Sequence, residues 1–77
     1  MKIENKTKEY IKASIEDVKL FKKDIETKMK EAEQKGDFKC SVSFKKYRSY
    51  AVLLVLIELL KRGYIVYTKS RTLCIRW

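Results

Sequence analysis

The stretch FKKYRSYAVLLVLIELLKRGY, residues 44–64, decides how the chain is organised. Three cations and two tyrosines stand immediately before ten residues that are apolar except for Glu58. A helix over residues 46–62, closed by Gly63, would be greasy nearly all round, so it has to be covered on more than one side. One sheet and one neighbouring helix cover roughly half of such a circumference. In a 77-residue chain the rest of the cover must come from another copy or another protein, since a bare patch of this kind is a liability. Leu53, Leu54, Leu56, Ile57 and Leu60 are therefore expected to divide between core and contact in a homo-oligomer. The competing arrangement is a monomer whose first helix wraps the segment.

Upstream lies one long amphipathic pattern. Ile11, Ile15, Val18, Phe21, Ile25, Met29 and Ala32 recur at steps of three or four and form one stripe, expected to be core. Asp24–Lys28 and Glu26–Lys30 are charged pairs four apart. Ser14 followed by Asp17 resembles a capping box, which allows the helix to start there rather than near Asn5. Gly36 is the expected C-cap. The run FKCSVSF then alternates, with Phe38, Cys40, Val42 and Phe44 to one side and Lys39, Ser41 and Ser43 to the other, a half-buried strand. Downstream, YIVYTKS and RTLCIRW read as two strands with a hairpin turn over residues 68–72. The expected fold class is α+β, in the order α-β-α-β-β: one domain, residues 1–77, with two helices covering a three-stranded sheet. The spacing leaves parallel and antiparallel placement of the first strand equally open.

The charge is uneven. Residues 1–35 hold ten Lys against eight acids, net +2, whereas residues 36–77 hold nine Lys/Arg against Asp37 and Glu58, net +7. That imbalance points to an anionic partner, against the plainer reading that net charge keeps a small domain soluble. Two cysteines make no disulfide framework. Cys74 sits on the opposite parity from Leu73, Ile75 and Trp77, so both cysteines are read as free thiols, Cys40 as buried filler. The start of the chain lacks the apolar run of a signal peptide, and residues 50–60 are too short to cross a bilayer, which needs about 20 residues. The expectation is a cytoplasmic protein.

Several chemistries lack their residues. There is no histidine, no zinc spacing of cysteines, and no Gly-rich phosphate loop after a strand. A binder is expected rather than an enzyme, with no cofactor. The candidate site is the junction of first strand and second helix. There Lys45, Lys46 and Arg48 would hold phosphate, with Ser49 at a helix start that offers free N–H groups. Tyr47 or Tyr50 would stack on a base, while Lys69, Arg71 and Arg76 close the site. The bland alternative is solvated lysines and tyrosines that merely pack.

Three elements resemble those of a group of small phage and prophage proteins. They are Ala32-Glu33-Gln34-Lys35-Gly36 at the first helix end, Gly63-Tyr64-Ile65-Val66 at the hairpin start and Ile75-Arg76-Trp77 at the terminus. The chain departs from that group in being strongly basic, with a greasier second helix. The resemblance implies an accessory phage protein acting in a bacterial host cell. Some compact phage proteins of this size are oligomeric sponges for nucleotide immune signals. It carries no site residues with it. The leading expectation is thus an oligomer that sequesters a small phosphate-bearing ligand. The alternatives are a DNA- or RNA-binding module, though no recognition-helix motif is present, and an inhibitor that docks on a host protein.

Overall fold

A computed structural model describes residues 2–77, with side chains described from residue 6 onward. Helix α1 spans Lys2–Gln34, strand β1 Lys39–Ser43, helix α2 Ser49–Lys61, strand β2 Ile65–Lys69 and strand β3 Thr72–Arg76. The expected α+β order holds. The sheet is antiparallel throughout in the order β1-β3-β2, so β3 is the central strand. Both helices lie on one face of it. Phe21 and Ile25 from α1 and Val52, Val55 and Leu59 from α2 pack with Val42, Leu73 and Ile75 from the strands. The helices run in the same sense, with Asp17 beside Arg48 near one end and Lys22 beside Glu58 further along.

Both helices stop at glycine for the same backbone reason. Gly36 and Gly63 have φ of +79° and +88°, a region in which a side chain is strained. At each, the residue after glycine reaches back to a carbonyl one turn earlier, Asp37 N to Ala32 O at 2.9 Å and Tyr64 N to Leu59 O at 3.1 Å. Those are the paired bonds of a Schellman stop. The hairpin turn is tighter than residues 68–72. Lys69 pairs with Thr72, which leaves Ser70 and Arg71 as a two-residue loop with φ of +49° and +56°.

Three local readings need correction. Ser14 does not begin a helix: α1 runs through it, and its hydroxyl donates to Tyr10 O at 2.8 Å, four residues back. Asp17, free of a capping role in its own helix, turns toward α2 instead. Phe38 is not in the core, because β1 begins after it and its side chain is 69% exposed. The α1 stripe is core only from Val18 onward; Ile11 and Ile15 are exposed, and residues 6–12 are exposed throughout. The cause is length. Thirty-three helical residues reach about 50 Å, the 52 Å long axis of the molecule, whereas α2 with 13 residues covers about 20 Å. The first turns of α1 therefore project as an arm beyond the rest of the domain. Among the described residues, no helix is long and apolar enough to cross a membrane.

Candidate functional site

Helix α2 starts at Ser49, three residues later than the pattern suggests, because residues 44–48 form a turn. Tyr47 N donates to Phe44 O at 3.0 Å, and Arg48 is extended at the N-cap. No side chain of that segment caps the helix. Asp17 of α1 supplies a carboxylate from across the helix pair. Its Oδ2 accepts from Arg48 N at 2.9 Å and from Arg48 Nη1 at 3.0 Å. The backbone hydrogen bond, with the guanidinium beside it, holds the Asp17 carboxyl below its ordinary 3.8 despite burial. The anion that the sequence leads one to expect at this helix start is one of the chain's own.

A second α1 carboxylate takes the next two candidates. The Tyr47 hydroxyl donates to Asp24 Oδ2, and Lys46 Nζ lies 3.5 Å from the same oxygen and 5.2 Å from the Tyr47 ring centroid. The Tyr47 ring packs against Phe21 with centroids 5.0 Å apart. Burial and the bond to Asp24 raise the Tyr47 phenol. Arg48, Lys46 and Tyr47 thus fasten the β1–α2 turn to α1. This corrects the reading of Arg48 as an open phosphate ligand and of Tyr47 as an open stacking ring.

Three of the remaining candidates do come together. Lys45, Ser49 and Arg71 line a groove of about 430 Å³. Phe44, Val52, Leu53 and Leu56 make its apolar side, and Tyr47 contributes an edge. Arg71 is placed there by the hairpin turn, whose carbonyl at Arg71 accepts from Phe44 N at 3.0 Å. Holding arginine in left-handed backbone costs about 1–2 kcal/mol relative to glycine. Tyr50 is exposed and is not among the residues that line the groove. Lys69 and Arg76 do not join it. Both are on the sheet face turned away from the helices, and Arg76 is ~17 Å of strand from Arg71.

The α2 helix divides as follows. Ala51, Val52, Val55 and Leu59 are buried, a core set that the five named leucine and isoleucine positions do not include. Leu54 and Leu56 are half-buried, whereas Leu53, Ile57 and Leu60 are 52%, 42% and 58% exposed. With Tyr50 they form a stripe at helical spacing about 15 Å long. The first helix does not wrap this side; Lys22 reaches only as far as Glu58, at 2.6 Å.

Both cysteines are free and half-buried. Cys40 faces the helices, and burial raises its thiol above the ordinary value, which opposes thiolate chemistry. Among the described residues no cluster of carboxylates or thiols could hold a metal ion. No protein-family model, curated protein or solved structure matches the chain.

Proposed function

We propose that the protein is a non-enzymatic, self-associating binder of a small phosphate-bearing ligand, held in the groove of Lys45, Ser49 and Arg71. The observation that carries this reading is the position of Leu53. It forms part of the groove wall and also part of the open α2 stripe. A second copy seated on the stripe would therefore wall the groove and enclose a ligand that one small domain leaves half in water. The projecting arm of α1 offers the matching surface. It carries exposed Tyr10, Ile11 and Ile15 over about 7.5 Å, half the length of the stripe.

Arg71 supplies a guanidinium suited to two phosphate oxygens, Lys45 a point charge and Ser49 a hydroxyl donor. Neither cation has a carboxylate partner among the described residues. The role of binding without turnover is sequestration: free ligand falls as the protein accumulates. The likeness of the three short elements to phage proteins adds a nucleotide signal as the candidate cargo.

The test is to heat the purified protein and identify released small molecules by mass spectrometry, for the native chain and for Arg71→Ala. The expected result is a phosphate-bearing compound from the native chain, reduced about ten-fold in the variant. A native chain that releases none, or a variant that retains it fully, overturns the reading.

A further inference from the structure

The sheet face turned away from both helices has no cover among the described residues, and its side chains form three cross-strand rows. Strand register sets Lys39 beside Arg76 and Arg76 beside Ile65 in the first row. Ser41, Cys74 and Tyr67 form the second, and Ser43, Thr72 and Lys69 the third. Successive rows are ~6.7 Å apart along the strands. No carboxylate stands on any of the nine positions, while three are cations at the two ends of the face. Tyr67 and Ile65, on edge strand β2, are 60% and 63% exposed, and Phe38 flanks the other edge at 69%.

These residues bound a concavity of about 690 Å³, larger than the Arg71 groove. Phe38 and Tyr67 line its two sides, with Lys39 and Arg76 between them; Asp37 at its rim is its one acid. Within the middle row Ser41 Oγ lies 3.7 Å from Cys74 Sγ, and the neighbouring Cys74 thiol raises the Tyr67 phenol.

We propose that this open face binds single-stranded nucleic acid. Tyr67 and Phe38 stack on bases, and Lys39, Lys69 and Arg76 contact the phosphates on either side of them. The argument for that occupant is charge together with shape. A second copy of this face would set cations against cations, and a duplex would bring its phosphates but keep its bases from the rings. A single strand uses both features. No base edge is read by a donor–acceptor pattern here, so binding tolerates sequence and depends on salt. The site is separate from the Lys45–Arg71 groove and stands or falls without it.

The probe is a fluorescent 12-nucleotide oligothymidylate, titrated with the native chain and followed by anisotropy at two salt concentrations. Native binding should weaken steeply with salt. Tyr67→Ala should weaken it about ten-fold at fixed salt. Arg76→Ala should weaken it and lower the salt slope by about one. Arg71→Ala, in the groove, should leave it within two-fold. Both sheet variants alter exposed side chains, and circular dichroism confirms that they fold. No binding at low salt overturns the proposal. So does duplex DNA binding as tightly as the single strand with Tyr67→Ala unchanged, since the cations would then attract any polyanion. Loss of binding in Arg71→Ala with none in Tyr67→Ala assigns the strand to the groove and also overturns it.

Discussion

Arg48 and Arg71 carry the same guanidinium, and both belong to the excess charge of the second half of the chain. Their surroundings give them opposite roles. Arg48 faces α1, where Asp17 takes both its backbone N–H and its side chain. Arg71 lines the groove and has no carboxylate partner among the described residues. Lys46 is likewise tied to Asp24, whereas Lys45, beside it on the same turn, forms no ion pair among the described residues. What distinguishes an anchoring cation from an open one here is whether a carboxylate of α1 reaches it. Net charge along the chain cannot make that distinction.

The contrast is broken most severely by removing what holds α1 against the turn. Phe21 has no exposed surface and supports both Phe44 and Tyr47. Phe21→Ala should cost about 3–5 kcal/mol, comparable to all that so small a core supplies. The variant should be largely unfolded by circular dichroism at 25 °C. Ile15→Ala, on the exposed part of the same stripe, should change monomer stability by less than about 0.5 kcal/mol.

Asp17→Ala comes next. It strands the N-cap N–H and leaves Arg48 without its partner, at a cost of about 2 kcal/mol. The thermal midpoint should fall by roughly 8–16 °C in a domain of this size. The pH dependence has a definite sign. The Asp17 carboxyl is held below its unfolded value by the Arg48 N–H bond, and Glu58 is lowered chiefly by its bond to Lys22. Their stabilisation is complete above the unfolded carboxylate range, about pH 4. It is lost as pH falls through the depressed folded values. Melting curves from pH 7 downward should show this acid loss, and Asp17→Asn should flatten it.

A change of opposite sign, smaller than the Phe21 and Asp17 losses, should come from Arg71. Arg71→Gly relieves the left-handed backbone and should stabilise the fold by about 1 kcal/mol, while ligand retention in the groove is lost. A variant that gains stability and keeps its ligand would show that the arginine is not there to bind.

The elements were legible because each carries a local signal: the 3.6-residue stripe of α1, the alternation of β1, and glycines at both helix ends. The limits of α1 were not, since Ile11 and Ile15 continue the stripe past the point where α2 and the sheet end. Periodicity reports which residues share a face, and what lies opposite that face is settled by tertiary structure. The site was half legible for a similar reason. Lys45, Ser49 and Arg71 were found by residue type and then brought together by the fold. Arg48 and Tyr47 have the same chemistry but meet Asp17 and Asp24, 31 and 23 residues away. Sequence spacing carries no mark of those pairings. The open sheet face was foreshadowed only by the polar parity of Lys39, Ser41 and Ser43; placing β3 in the centre was needed to set Tyr67, Cys74 and Arg76 beside them.

The central claim is that the Tyr50–Leu53–Ile57–Leu60 stripe is covered by a second copy, next to the groove. Sedimentation equilibrium on the native chain and on Leu53→Glu/Ile57→Lys tests it most directly, because both positions are exposed and the substitutions leave the monomer core intact. The account predicts a native mass at a multiple of the chain mass and a folded, monomeric variant. A native chain that sediments as a monomer across the concentration range would contradict it.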